Sequence, residues 1–302
     1  MDVTLQSPTR RALNNFGFLL MLFGCPFLTW YATIAIRHYD GALVIPDADF
    51  LGHIAAPTLP VAGFYLVWVV LQLALAVFLP GKVELGIELE DGKQLPYVMN
   101  GLGSFVLTLA LGIALAWSGV IAPTFLYDNL DALLTTANIA VLALCGFMYV
   151  IGRQQATAKE LALNPLEAYV IGAALNPRTR GLDWKFFCES RPGMILWVLL
   201  NFSFVAAQYG KHGTISNAML LVVAFQLLYV ADYFVMEDAI LTTWDIRHEP
   251  FGFMLCWGCL VWIPFTFSLQ GLYLVDHPNA LPTAAVILLI AFNLTGFAIF
   301  RG

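Results

Sequence analysis

Long uninterrupted runs of apolar residues are the feature that most constrains this fold. Runs of about 20 apolar residues, enough to cross a hydrocarbon core of roughly 30 Å, lie near 16–36, 59–79, 102–121, 132–151, 216–236, 252–274 and 281–299, with a shorter run at 194–209. Hydrophobic residues are 60% of the 302 residues and charged residues 11%. We therefore predict an all-α fold, a polytopic transmembrane helical bundle of about eight spans that forms one integral membrane domain over 1–302.

Charge distribution predicts how the bundle is oriented. With eight spans, twelve of the fourteen Lys and Arg residues fall on one side, and only Arg37 and Lys211 fall on the other. By the positive-inside rule both chain ends are then cytoplasmic. The polar start leads into a full-length apolar run without a small-residue cleavage site, so we expect a retained first span. A net charge of -6 and scattered basic residues argue against nucleic acid as a partner.

Two connections between the spans are predicted to be ordered. The 80–101 stretch has Gly and Pro punctuation with alternating apolar residues, which indicates a small β-hairpin at the membrane surface. The 164–193 stretch begins with a short amphipathic piece and carries four basic residues, which indicates an interfacial helix followed by an ordered loop. Cys256 and Cys259 have the CxxC spacing of a redox pair or a metal site. They lie in a predicted span without a second ligand pair, so we expect them to pack and expect no metal.

The segment from Asp232 to Glu249 carries eight ionisable side chains between two apolar runs. On a helix Tyr229, Tyr233 and Glu237 recur every four residues, and Asp232 lies three residues after Tyr229. A charge at mid-bilayer costs about 2.5–3.5 kcal/mol even on the lenient scale. We therefore expect this face to look into the protein or a wet cavity, where burial would raise the pKa of a carboxyl and let it act as an acid.

Two long strings resemble a known family. They are 175–209, which contains LNPR and RPG, and 228–278, which contains FGF and SLQG. Both are similar to the sterol reductases, membrane enzymes that reduce the sterol C14–C15 or C7–C8 double bond with NADPH. With the pieces around 79–81 and 92–101, the resemblance covers most of 79–302. One departure is that Glu167 and Ala168 stand where the family normally has an aromatic-Asp pair, so no role is taken from that pair.

The resemblance also predicts what lies outside this sequence. Family members continue for roughly another hundred residues after Gly302, and that region supplies much of the cofactor site. We therefore expect the NADPH pocket to be incomplete in this chain. For localisation we expect a multi-pass protein of the endoplasmic reticulum in a eukaryote, or of the inner or intracytoplasmic membrane in a bacterium, with sterol and membrane lipid as partners.

The resemblance implies roles for particular residues in reduction by alkene protonation followed by hydride transfer. The implied catalytic residues are Tyr229, as proton donor or relay, with Asp232 and Glu237 to orient or recharge it. The implied cofactor-binding residues are Trp244, Asp245 and His248 at the cytoplasmic mouth and Arg178, Lys185 and Arg191, which would steer phosphates or anionic lipid. The implied sterol contacts, with plain helix packing as the alternative, are Trp257, Trp262, Phe265 and Tyr273.

Other functions stay open at this point. C14–C15 reduction is our prediction, and C7–C8 reduction is the alternative within the family. A non-catalytic sterol-binding scaffold is a second alternative, because the same domain also occurs in a receptor of the nuclear envelope. A proton-coupled transporter is a third, because buried carboxyls also mark proton pathways.

Overall fold

The computed structural model describes residues 8–88 and 92–302 and confirms a helical bundle with little sheet. Within those residues seven helical segments are long and apolar enough to cross a membrane. An eighth apolar helix at the position of the predicted third span has only 17 residues. That length corresponds to about 26 Å, slightly less than a hydrocarbon core. The eight segments are Ala12–His38, Leu59–Phe78, Gly101–Trp117, Leu130–Gln155, Trp184–His212, Asn217–Val235, Phe253–Asp276 and Thr283–Arg301.

The long helices and the strands have the following bounds. The helices are α1 (Pro8–His38), α3 (Leu59–Phe78), α4 (Gly101–Trp117), α6 (Leu130–Gln155), α10 (Pro192–His212), α11 (Asn217–Val235) and α16 (Thr283–Arg301). The strands are β1 (Lys82–Glu88), β2 (Gln94–Met99), β3 (Arg178–Thr179) and β4 (Leu182–Asp183).

Shorter helices complete the chain. They are α2 (Ala48–Gly52), α5 (Phe125–Asp128), α7 (Ala158–Leu161), α8 (Pro165–Val170), α9 (Trp184–Ser190), α12 (Trp244–His248), α13 (Phe253–Trp257), α14 (Ile263–Thr266) and α15 (Leu269–Asp276). A 3₁₀ turn covers Glu237–Thr242, and a π-helical turn covers Gly258–Trp262 within the sixth of the seven long segments.

The short fifth span predicted at 194–209 is confirmed, and it is longer than predicted. Helices α9 and α10 meet at Arg191 and together form the 29-residue segment Trp184–His212. The apolar pattern missed the first turns because Lys185, Glu189 and Arg191 interrupt it. All three side chains are buried. Charges that are buried with partners, as Lys185 and Arg191 are, can therefore extend an apolar segment that hydropathy alone ends early.

Helix α10 is the centre of the bundle and packs against α11, α14 and α15. Its first turn needs a glycine, because a Cβ on Gly193 would lie 1.8 Å from the carbonyl oxygen of Cys259. Cys259 lies in the π-helical turn. Close backbone contact of this kind is how small residues bring helices together in a membrane.

Both connections that were predicted to be ordered are ordered in the structure. β1 and β2 form an antiparallel hairpin with Lys82 opposite Met99. The hairpin tip at 89–91 lies outside the described residues. In the 164–193 stretch, α8 is the short helix and is capped by the Asn164 side chain. A two-residue turn then joins β3 to β4, just before α9. The turn and α9 are the ordered part that the sequence predicted as a loop.

Candidate functional site

Glu237 ends up buried, as the sequence predicts, and it is held by two contacts. Its Oε1 lies 2.8 Å from Nη2 of Arg191, and both side chains are shielded from solvent. Its Oε2 accepts a hydrogen bond of 2.7 Å from the N–H of Gly101. Burial raises the pKa of Glu237 above its usual range, while Arg191 and the Gly101 N–H act in the opposite direction. The carboxylate therefore connects the end of α11 to the first turn of α4.

Arg191 connects the same point to the hairpin. Its Nη2 donates to Oδ1 of Asn100 at 2.6 Å and to the carbonyl of Val98 at 3.3 Å. Asn100 in turn donates from Nδ2 to the carbonyl of Leu79, at the end of α3. One buried guanidinium thus holds α3, β2 and the Glu237 turn together. Its predicted role as a phosphate ligand is untested, and these contacts favour a positioning role.

Lys185 is also committed to the protein itself. Its ammonium donates to the backbone carbonyls of Asp245, Ile246 and Glu249 at 2.8, 2.9 and 2.9 Å. An ammonium has three N–H donors, so none is left for a phosphate. Lys185 instead fixes the end of α12, where carbonyls lack helical partners.

Arg178 joins the two small hairpins. Its Nε donates to Oδ2 of Asp183 at 3.0 Å, its Nη1 donates to the carbonyl of Pro96, and its guanidinium lies 4.6 Å from the ring centre of Tyr97. Its Nη2 is shielded from solvent and has no acceptor among the described residues. This leaves one donor that a bound anion could use.

Tyr229 and Asp232 do not share an enclosed face with Glu237, so that prediction is wrong. Tyr229 is 55% exposed and packs its ring 5.8 Å from that of Trp197. Asp232 is half-buried and forms an ion pair with Arg301 of α16, whose Nε lies 2.8 Å from Oδ1. Helix α11 ends at Val235, two residues before Glu237. The four-residue spacing of a helix therefore does not apply to Glu237. The spacing from Tyr229 to Asp232 does hold.

A network of side-chain amides beside Tyr229 was missed by the sequence reasoning. Gln226, one turn before Tyr229, accepts hydrogen bonds on Oε1 from Nε1 of Trp197 at 2.7 Å and from Nδ2 of Asn201 at 2.6 Å. Its Nε2 donates to Gln270 at 3.2 Å. These bonds connect α10, α11 and α15 and orient the indole on which Tyr229 rests. The available signal was three amide side chains inside apolar runs, where unpaired polar groups are costly.

The residues predicted for a cytoplasmic mouth lie on α12. Trp244 is 66% exposed, Asp245 and His248 are exposed, and the Trp244 and His248 rings have centroids 4.4 Å apart. These rings fit one part of a nicotinamide cofactor, which needs a flat apolar surface. The phosphate part has few donors among the described residues: Lys185 has all three N–H groups in use, and Arg178 and Arg191 each keep a single N–H without an acceptor.

The four predicted sterol contacts are spread over the last spans. Trp257 is buried and donates from Nε1 to Asn138 at 2.9 Å, and Phe265 is buried in the same core cluster. Trp262 and Tyr273 are partly exposed, and Tyr273 stacks on His277. The structure therefore gives Trp257 and Phe265 packing contacts. Their role toward a sterol stays a prediction.

Comparison with known proteins provides the remaining findings. Residues 15–302 match the model of the ergosterol biosynthesis ERG4/ERG24 family. A protein of Methylotuvimicrobium alcaliphilum named Delta(14)-sterol reductase is 47% identical over 293 residues, which cover 95% of this chain and 69% of that protein. A Delta(14)-sterol reductase of Dictyostelium discoideum is 33% identical over 99% of this chain and 69% of its own length. Delta(14)-sterol reductase LBR of Gallus gallus is 37% identical over 95% of this chain and 46% of its own length.

Proposed function

The chain belongs to the ergosterol biosynthesis ERG4/ERG24 family, and from that premise we propose that it is a sterol reductase of the membrane that saturates the C14–C15 ring double bond. The observation that carries this proposal is the identity of 47% with a protein named Delta(14)-sterol reductase over nearly the whole chain. The bundle of apolar helices is consistent with a substrate that enters from the lipid phase.

The proposed chemistry is proton transfer followed by hydride transfer. An isolated alkene carries no polarising group, so its reduction begins with protonation by a positioned acid and forms a tertiary carbocation. NADPH, when bound, would supply the hydride. Its phosphates would meet few free donors among the described residues, where Arg178 and Arg191 each keep a single N–H without an acceptor. What the described residues do provide is an acid and a support for that acid.

Tyr229 is our proposed proton donor. Its ring is held against Trp197, and the orientation of Trp197 is set by its bond to Gln226. Its side chain faces out of the described bundle, where a substrate can reach it. A phenol whose ring packs on Trp197 while its other face is exposed can donate to an apolar substrate more readily than a fully buried phenol could.

Asp232 and Glu237 take positioning roles in this proposal. Both carboxyls are in ion pairs, with Arg301 and Arg191 respectively. Each pair ties its carboxyl to a neighbouring element, α16 for Asp232 and the start of α10 for Glu237. We therefore propose that Asp232 and Glu237 fix the end of α11 rather than recharge Tyr229.

The test is an assay of the full protein in detergent with NADPH. Sterols with Δ14, Δ7 and Δ24(28) double bonds are offered in parallel, and products are resolved by mass spectrometry. We expect the Δ14 sterol to be consumed with one NADPH oxidised per product. Reduction of the Δ7 sterol alone would contradict the C14 assignment, and no reduction of any sterol would contradict the enzyme proposal.

Tyr229→Phe tests the proton donor. Loss of a general acid costs about 10²–10⁴-fold in turnover, whereas the KM for NADPH should stay within a factor of a few. Tyr209→Phe is the matched control, since Tyr209 is similarly exposed and lies near the C-terminal end of α10. Equal turnover of the two variants would remove Tyr229 from the chemistry.

A further inference from the structure

A cleft on the hairpin side of the bundle has no role in the proposed reaction. It has a volume of about 270 Å³ and lies between the end of α3, strand β2, the β3–β4 turn and α9. Its lining includes Val77, Val98, Arg180, Phe186 and Arg191. This is slightly smaller than the roughly 300–1,000 Å³ typical of sites for drug-sized ligands. The space suits a compact headgroup.

Two arginines line the cleft, and the buried one has an unused donor. Arg191 is 2% exposed, and its Nε–H has no acceptor among the described residues, although the other nitrogens of the group are paired. Buried N–H groups without a partner are rare in proteins and call for an explanation. The Nε–H of Arg191 could therefore still donate to an anion that enters the cleft.

Arg180 at the mouth is held in a conformation that its residue type disfavours. Its φ is +49°, and the following Gly181 has φ +87°. Two successive positive φ angles between paired strands define a type I′ turn, in which Asn-Gly is strongly preferred. An Arg in the left-handed region is disfavoured, because its Cβ comes too close to the following carbonyl oxygen. The exposed Arg180 therefore occupies a turn position that the backbone geometry disfavours for arginine.

The cleft also has apolar lining at the end of α3. Val77 is 53% exposed, and the next residue, Phe78, is exposed still further. The same side carries most of the Lys and Arg residues of the chain, which predicts that it faces the cytoplasm. Anionic lipids are concentrated in the cytoplasmic leaflet, and basic pockets on that side of membrane proteins bind their headgroups.

We propose that this cleft is a binding site for an anionic phospholipid, with the headgroup phosphate between Arg180 and Arg191 and an acyl chain along the end of α3. Guanidinium groups favour this ligand because their planar N–H pairs match phosphate oxygens. A bound lipid would bridge the β3–β4 turn and α3, and would therefore stabilise the folded protein by mass action.

The test measures lipid binding and stability of the full protein. Phosphatidylglycerol or phosphatidylcholine is titrated into detergent-solubilised protein, and bound lipid is counted by native mass spectrometry while the melting temperature is followed. We expect phosphatidylglycerol to bind and raise the melting temperature, and phosphatidylcholine to do neither at the same concentration. An equal response to both lipids would overturn the proposal.

Arg180→Asn is the decisive variant, because it removes the charge and suits the type I′ turn, so folding should not suffer. Removal of one interfacial charge, worth about 1 kcal/mol, weakens binding roughly fivefold. Arg247→Asn is the control, since Arg247 is exposed on the same side but outside the cleft. Equal loss in both variants, or no loss in Arg180→Asn, would overturn the proposal.

A third titration separates lipid from other phosphates. Inorganic phosphate and the 2′-phosphorylated nucleotide NADP⁺ are each added to protein loaded with phosphatidylglycerol. We expect neither to displace the lipid, because neither carries an acyl chain that could lie along the end of α3. Displacement by NADP⁺ would show a nucleotide site in its place and would overturn the lipid proposal.

Discussion

Lys185→Met should loosen the segment around α12 without a general loss of fold. Lys185 donates three hydrogen bonds to backbone carbonyls of Asp245, Ile246 and Glu249. Methionine keeps much of the apolar stem but donates nothing. Asp245 and Glu249 are exposed, so water can replace the ammonium at their carbonyls, whereas Ile246 is buried. One buried carbonyl left unsatisfied costs about 1–3 kcal/mol.

The free energy lost in Lys185→Met can be estimated from these contacts. Bonds to a charged group contribute about 1.5–3 kcal/mol each, and partial rehydration at the two exposed carbonyls removes most of their share. We expect a loss of about 3 kcal/mol, close to the upper end of the cost for the Ile246 carbonyl alone. Since about 1.4 kcal/mol is a factor of ten, amide hydrogens of 244–253 should exchange roughly a hundredfold faster.

The assay is hydrogen exchange followed by mass spectrometry in detergent. Lys211→Met is the matched control, because Lys211 is in a half-exposed ion pair with Asp276 and such pairs contribute about 0–1 kcal/mol. Exchange in 244–253 should be unchanged in that variant. If Lys185→Met leaves this exchange unchanged but weakens binding of NADPH, then Lys185 is a phosphate ligand and our reading of its contacts is wrong.

Three further predictions concern Gly101, Gly193 and Glu237. Gly101→Ala should destabilise by about 1–3 kcal/mol in denaturant titration, because its Cβ would lie 2.5 Å from Oε1 of Glu237, whereas Gly146→Ala, with nothing within 4 Å, should be neutral or stabilising. Gly193→Ala should abolish the folded bundle in size-exclusion chromatography, because the new Cβ would lie 1.8 Å from a backbone oxygen. The pKa of Glu237 in the folded protein is raised above 4.5. The folded state therefore keeps a proton that the unfolded chain loses. The contribution of Glu237 to the free energy of unfolding should then fall as pH rises from about 4.5 through the folded pKa. Glu237→Gln should flatten that slope, and an identical slope in the variant would refute the assignment.

The fold was predictable because its signals are local. Each span needs only its own apolar run, and the hairpin needs only its alternation and the turn residues at its tip. Pairing partners of buried charges are different. The Gly101 N–H and Glu237 are 136 residues apart in the chain, and the Lys185 ammonium reaches a carbonyl 60 residues away. A single sequence indicates that such charges need partners but not which ones.

The candidate site was predictable in part for the same reason. Helical spacing correctly placed Tyr229 and Asp232 near one another on α11, but it could not say what covers that face. It also could not show that the helix ends at Val235 and that a 3₁₀ turn then redirects Glu237 toward Arg191. Where the helix stops depends on contacts with α4 and the hairpin, and those contacts are made only in the folded protein.

The roles of the buried cations change how the charge on the hairpin side should be read. By count, the 152–193 stretch carries six Lys and Arg residues, which predicts a strong field for any anion. In the structure Lys185 and Arg191 are buried in contacts with the protein, and Arg178 is paired with Asp183. Arg180 is exposed and next to the cleft, so it should dominate the attraction of anions there. The affinity of the cleft for an anionic headgroup should therefore follow substitutions at Arg180 far more closely than the net charge of the loop.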